Sequence, residues 1–264
     1  MGDLTVSVDG AIATLTLNRP KALNALSTEM AQLGVEALRR LSDDASIRAV
    51  IVTGAGRAFS AGGDVPKMQA LHNGEADFRD VLSDQVTAHE FARLLHDMPK
   101  ITLAAVNGPA FGAGLAIALA ADLRIASSGA LFGTAFASVG LDGDLGVSWS
   151  LAKLVGEAKA KELMLLPSQI DAEEARRIGL VNFVAEADAF EAETAKLAAR
   201  LASGPANAMR FIKQNINAAH AERFADTLER EATSHISLMK DPDFREGVSA
   251  FLEKRKPKFG QGGG

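Results

Sequence analysis

The sequence has no cysteine among its 264 residues, which excludes a disulfide framework and a thiolate metal site. Its five histidines occur at none of the spacings that bind metals, so we expect no metal site. Basic residues are also fewer than acidic ones, with 28 Lys and Arg against 33 Asp and Glu. The net charge of −5 disfavours a nucleic-acid-binding protein, because such proteins usually carry a basic stripe.

Long hydrophobic runs are missing as well. No apolar run reaches the roughly 18–20 residues that a helix needs to cross a bilayer. The longest, around residues 115–121, ends at Asp122. The first residues are acidic and alternate in polarity, unlike a secretory signal, which is basic and then apolar. We therefore expect a cytoplasmic protein with no membrane partner.

What the sequence does contain is 47% hydrophobic residues in alternating strand and helix patterns. Over about the first 190 residues these patterns predict an α/β fold with a mostly parallel sheet and helices outside it. Helical patterns dominate from Leu145 onward. We place an α/β core at residues 1–192 and a helical C-terminal region at residues 193–264, the last five of which, Gly-Gln-Gly-Gly-Gly, we expect to be a tail.

Two local signals near the start are specific enough to test. Residues 4–8 and 11–17 read as strands joined at Asp9-Gly10, a sequence typical of a hairpin turn. Ser27 or Thr28 is placed to cap an amphipathic helix that runs to about Leu41.

Four segments carry the strongest functional signal. They are "LNRPKALNAL" at residues 17–26, "AFSAGGDV" at 58–65, "AAVNGPAFGAG" at 104–114, and "LVGEAKAKELMLL" through "EEARRIGLVNFV" at 154–184. In this order and at these separations they resemble the crotonase superfamily, the enoyl-CoA hydratases and isomerases, across essentially the whole chain. The resemblance implies a crotonase-like ββα spiral followed by a helical trimerisation region, and hence a homotrimer or a dimer of trimers.

The shared chemistry of that family is the stabilisation of an acyl-CoA thioester enolate by two backbone N–H groups. The family pattern assigns these donors to Gly63 and Ala113. Residues 61–63 carry no large side chain to block a thioester, and residues 112–114 open a helix whose first N–H groups lack partners. The alternative is that these small residues only permit tight turns and close helix packing.

The identity of the catalytic acid separates members of the family. Hydratases use two glutamates, and the matching positions here are Ala116 and Phe136, which disfavours a hydratase. In isomerases resembling the ring-epoxide phenylacetyl-CoA isomerase, and in aroyl-CoA dehalogenases, the acid lies eight residues beyond the second glutamate, which here is Asp144. Asp144 is the expected proton carrier, with the alternative role of capping a helix that starts at 145. Asp142 falls at a more variable loop position.

The resemblance also implies a set of residues that contact substrate and CoA. They are Lys21, Ala22, Ala61, Gly63, Asp64, Val65, Ala113, Phe136, Phe251 and Lys254. Asp64 has the alternative role of a helix cap, and the segment that holds Phe251 and Lys254 has that of a solvated tail. His89 falls where dehalogenases carry a base, or is a surface or packing residue.

The resemblance therefore predicts an acyl-CoA-binding enzyme, and most specifically an enoyl-CoA isomerase. CoA enters as part of the substrate, and no metal or redox cofactor is implied. One alternative is a dehalogenase- or hydrolase-like enzyme with Asp144 as nucleophile and His89 as water base. Another is a non-catalytic CoA-binding homologue, against which the retained acid at position 144 argues.

Overall fold

The computed structural model describes residues 2–75, 77–219 and 221–260. The strands are β1 Leu4–Asp9, β2 Ile12–Leu17, β3 Ala49–Gly54, β4 Ile101–Val106, β5 Ala110–Phe111, β6 Leu123–Ser127, β7 Leu131–Gly133, β8 Ile170–Asp171 and β9 Phe183–Ala185. The helices are α1 Thr28–Asp43, α2 Val65–His72, α3 Phe78–Asp97, α4 Ala113–Ala120, α5 Val147–Leu165, α6 Ala172–Arg177, α7 Phe190–Ala202, α8 Ala206–Ala219, α9 Phe224–Leu238 and α10 Pro242–Leu252. Short 3₁₀ helices cover Pro20–Ala22 and Ala137–Val139.

The larger sheet has the strand order β1-β2-β3-β4-β6-β9. β1 and β2 form the predicted antiparallel hairpin, and every later pairing in this sheet is parallel. Residues 49–52 of β3 are all buried, as expected of a parallel strand that is covered on both faces. A second sheet of three short strands, in the order β5-β7-β8, lies beyond β4 in the chain. The predicted α/β architecture is confirmed.

Helix α1 begins where the sequence predicts. The Ser27 hydroxyl accepts a hydrogen bond from the Met30 N–H at 3.1 Å, which satisfies one of the free donors at the helix start. α1 packs against α3 through the fully buried ring of Phe91. A Cβ at Gly34 would lie 2.7 Å from that ring, so glycine is what lets the two helices approach. This contact fixes α3, which carries part of the site described below.

The other face of the sheet is covered by α7, whose Phe190 and Ala198 pack with Leu103 and Ile125. A division between residues 192 and 193 falls inside this helix. The following helices leave large apolar side chains exposed to solvent. These side chains are Ile212, Ile216, Phe224, Leu228, Ile236, Met239, Phe244, Val248, Phe251 and Leu252.

In the described part of the chain, no helix has both the length and the apolar character needed to cross a membrane. α4 is the most apolar helix near the site, and it is only 8 residues long and fully buried. Of the expected C-terminal tail, residues 261–264 lie outside the described residues.

Candidate active site

Two backbone segments that are distant in sequence lie side by side at the start of α4. The Phe111 N–H donates to the Ser60 carbonyl at 2.9 Å, and Ser60 forms a β-bridge with Ala110. Gly62 has a φ of +104°, and a Cβ there would lie 2.9 Å from the Phe111 carbonyl oxygen. Only glycine fits this close approach, which brings the loop at residues 60–63 against the N-terminus of α4.

Gly63 and Ala113 are the two predicted oxyanion donors. Within the described residues, neither N–H donates a hydrogen bond, whereas the neighbouring Gly62 N–H is bound by the Ser60 hydroxyl at 3.2 Å. Ala113 is the first residue of α4, so its N–H has no acceptor within the helix and lies at the positive end of the helix dipole. The site therefore holds two unused backbone donors, which is the requirement for stabilising an oxyanion.

Both donors line one pocket of about 120 Å³, and the Asp144 carboxylate lines it with them. The methyl end of Met68 covers Gly63 so closely that a Cβ on Gly63 would overlap it. The apolar part of the lining consists of Leu26, Ala31, Met68, Leu71, Val81 and Ala88. A pocket of this kind suits an apolar group attached to a carbonyl.

Three aspartates line the pocket, and two of them are paired with cations. The Asp64 carboxylate accepts from Arg19 Nη1 at 2.7 Å. Asp84 pairs with Lys67, whose ammonium also donates to the Thr28 hydroxyl. Burial raises the pKa of Asp84, but the hydrogen bonds from Lys67 and Thr28 outweigh it and leave that pKa below its ordinary value.

The structure contradicts the helix-cap role predicted for the Asp64 side chain. Asp64 does occupy the N-cap position of α2, but its side chain makes no capping hydrogen bond. The backbone carbonyl of Asp64 accepts from the helix instead, through the Lys67 and Met68 N–H groups. The carboxylate is turned to Arg19, so its cap role is wrong for the side chain.

Asp144 is the third aspartate, and its partners are neutral donors or a histidine. Its Oδ1 accepts from His89 Nε2 at 2.9 Å, from the Leu145 N–H at 2.6 Å and from the Gln85 side-chain amide. The first contact requires the proton of His89 on Nε2. Asp144 Oδ2 has no hydrogen-bond partner among the described residues. The Asp144 side chain as a whole is 21% exposed.

The loop around Asp144 is shaped by left-handed backbone. Gly143, Leu145 and Gly146 all have positive φ, and the Leu145 side chain is buried in the core at 5% exposure. Because of these conformations α5 begins at Val147, and Gly146 occupies its N-cap position without a side-chain cap. The predicted capping role of Asp144 is therefore wrong. Its Oδ1 accepts from the Leu145 N–H, which precedes the helix, and Asp144 lines the pocket.

The positions of the missing glutamates are apolar and buried. Ala116 is 1% exposed on α4, and Phe136 is 7% exposed, with its ring 3.9 Å from where a Cβ of Gly112 would be. Asp142 is exposed on the loop surface.

Of the residues predicted to contact substrate and CoA, the pocket brings together Gly63, Asp64 and Ala113. The remaining ones lie outside its lining: Lys21, Ala22, Ala61, Val65, Phe136, Phe251 and Lys254. Gln85 was not predicted, although its i,i+4 spacing from His89 puts both on one face of α3.

Comparisons with known proteins identify the family and the fold of the chain. The family model described as Enoyl-CoA hydratase/isomerase matches residues 7–262. The chain is 37% identical over 252 residues to the 1,2-epoxyphenylacetyl-CoA isomerase of Escherichia coli, covering 96% of each. It is 40% identical over 256 residues to a probable enoyl-CoA hydratase of Rhodobacter capsulatus, covering 96% of this chain and 95% of the relative. The crystal structure of an enoyl-CoA hydratase from Polaromonas sp. JS666 superposes with a TM-score of 0.92 at 34% identity, over 97% of this chain and 99% of that one. The crotonase-like fold predicted from the four segments is confirmed.

Proposed function

Because the chain belongs to the enoyl-CoA hydratase/isomerase family, we propose that it is an enoyl-CoA isomerase that moves a double bond through a thioester enolate. One observation carries the proposal. Asp144 shares its pocket with the backbone N–H groups of Gly63 and Ala113, and among the described residues neither these donors nor Asp144 Oδ2 has a hydrogen-bond partner.

The proposed reaction uses these three groups in turn. The N–H groups of Gly63 and Ala113 bind the thioester oxygen, where negative charge develops as the enolate forms. One such donor is worth roughly 100–1,000-fold in rate. Asp144 Oδ2 removes a proton from the α-carbon of a 3-enoyl-CoA, which gives a dienolate, and returns the proton to the γ-carbon, which leaves the double bond between the α- and β-carbons. The proton and electrons balance within the substrate, so the reaction needs no metal or redox cofactor, and CoA enters as part of the thioester.

Water addition is the main competing reaction, and relatives named as hydratases and as isomerases both align over nearly the whole chain. The carboxylates of the pocket favour isomerisation. Asp64 and Asp84 are held by Arg19 and Lys67, which leaves one carboxylate available to transfer a proton. A hydratase of the usual family mechanism needs two.

A dehalogenase- or hydrolase-like reaction is the second candidate, and the contact between His89 Nε2 and Asp144 favours it. In that reaction Asp144 attacks the substrate carbon and displaces halide or the CoA thiolate. Water activated by His89 then attacks the Asp144 carbonyl carbon and cleaves the resulting ester or anhydride, which frees the product. A single turnover in ¹⁸O-labelled water distinguishes this reaction from isomerisation by proton transfer. Label in the Asp144 carboxylate supports the nucleophile, and its absence supports proton transfer.

For the assembled enzyme we propose a homotrimer or a dimer of trimers with acyl-CoA as its small-molecule partner. The exposed apolar side chains of α8–α10 support it, since one chain leaves them uncovered. Phe251 and Lys254 lie in or just after α10, and on this proposal they meet CoA together with Lys21 and Ala22 of the segment before α1.

The direct test is a 3-enoyl-CoA assay that follows formation of the conjugated 2-enoyl-CoA by its ultraviolet absorbance. The proposal expects turnover by the wild-type protein and by Asp142→Asn, and none by Asp144→Asn. Equal activity in all three proteins would contradict it.

A further inference from the structure

The three donors to Asp144 Oδ1 have a consequence for proton transfer. We propose that Gln85 and His89 are positioning residues, which hold Asp144 so that Oδ2 alone carries the proton. This inference rests on the proposed function, in which Asp144 is the base.

The hydrogen-bond donors around Asp144 can be compared with the lone pairs of its carboxylate. A carboxylate offers about four lone-pair sites, two on each oxygen. Oδ1 already receives hydrogen bonds from Gln85, His89 and the Leu145 N–H, so its lone pairs are filled. Oδ2 receives none from the described residues and keeps both of its lone pairs. The oxygen that is free to accept a substrate proton is therefore Oδ2.

The donors to Asp144 come from two separate elements, α3 and the loop before α5. Gln85 and His89 stand one helical turn apart on α3, which is anchored by the buried Phe91. The third donor is the N–H of Leu145, whose side chain is buried in the core and anchors the loop there. Rotation of the Asp144 carboxylate would break hydrogen bonds to both elements, so the orientation of Oδ2 is preset before substrate binds.

The exposure of His89 bears on its role, because its side chain lies largely outside the packed core. Its side chain is 54% exposed, and its Nε2–H donates to Asp144, which leaves that nitrogen no lone pair to accept from the nearby Gln85 amide. A histidine in such an open position on a helix face contributes little to packing. Its value to the protein is then the hydrogen bond that it gives to Asp144.

The test measures isomerase kinetics for Gln85→Met, His89→Ala, the double variant and His89→Gln. Methionine keeps the length of the glutamine side chain without the donor, and glutamine at 89 keeps a donor near the place of Nε2. Thr87→Ala is the matched control, because Thr87 lies on the same helix and its hydroxyl donates to the Ser83 carbonyl instead of to Asp144. Far-ultraviolet circular dichroism and melting temperature check folding of each protein.

We expect the double variant to lose about 100-fold in kcat, the size of effect that a misplaced catalytic group produces. KM should change by less than about threefold, because substrate binding uses other groups. His89→Gln should recover most of the activity that His89→Ala loses, and Thr87→Ala should match the wild type.

Three results would overturn the inference. The first is a double variant within about threefold of the wild-type kcat. The second is a loss in which KM rises as much as kcat falls. The third is His89→Gln being as impaired as His89→Ala. Full activity of Asp144→Asn would instead refute the proposed function itself, so the two failures are distinguishable.

Discussion

Replacing Ala113 by proline removes one oxyanion donor and places the ring Cδ where the N–H hydrogen was. Ala113 is the first residue of α4, the helix position that best tolerates proline, because the N–H there has no helical partner. The chain already uses proline in this way at Pro242, the first residue of α10. The substitution therefore deletes an N–H that no described residue accepts, with little expected effect on folding.

The expected loss follows from the role of the donor. Removing one oxyanion-hole N–H costs about 2.7–4 kcal/mol of transition-state stabilisation, or roughly 100–1,000-fold in kcat. Ala113→Gly is the matched control, since it keeps the N–H and should stay near wild-type activity. The assay is double-bond migration in a 3-enoyl-CoA, with melting temperature measured alongside. An Ala113→Pro protein that melts normally and keeps kcat within about tenfold of the wild type would refute the assignment of this donor.

Three further predictions concern chemistry, assembly and pH. Hydration of crotonyl-CoA should be far slower than the roughly 10 per second that is typical of enzymes, because Ala116 and Phe136 supply no acid. A hydration rate near that value, measured by loss of the enoyl absorbance, would contradict the proposal that the site isomerises its substrate and lacks the acids for hydration. Sedimentation at micromolar concentration should show a trimer or hexamer, and a stable monomer would contradict the assembly. The hydrogen bond from Arg93, with help from Arg39, lowers the pKa of Glu90 from 4.5 to about 2, so the ionised Glu90 stabilises the fold above pH 4.5 and less so as the pH falls toward 2. The difference in melting temperature between wild type and Glu90→Gln should therefore narrow below pH 4.5, and a constant difference would show that the ion pair is not its cause.

Local sequence signals predicted much of the fold because their causes are local. The hairpin at Asp9-Gly10 and the cap at Ser27 depend on residues that are neighbours in the chain. At Gly156 the backbone leaves helical geometry, with φ +77° and ψ +158°, so α5 consists of two helical segments that meet at a kink.

The candidate site was predictable only in part. Gly63, Ala113 and Asp144 came from the family resemblance, and the structure places all three at one pocket. The capping role predicted for Asp144 was wrong for a physical reason. Leu145 has a positive φ, which is uncommon for leucine, and α5 therefore begins later in the chain than predicted. Gln85 was missed because a polar residue on a helix gives no sign of its partner, which here is 59 residues away in the chain.

The most direct test of the account is the Asp144→Asn variant, measured for double-bond migration and for exchange of substrate hydrogen with deuterated solvent. Asparagine keeps an oxygen that can accept from Gln85, His89 and the Leu145 N–H, and puts an amide where Oδ2 was. The account predicts that migration and exchange are abolished, while acyl-CoA binding by calorimetry stays nearly intact, because the oxyanion donors are backbone groups. Retention of both activities in Asp144→Asn, or their loss in Asp142→Asn instead, would contradict it.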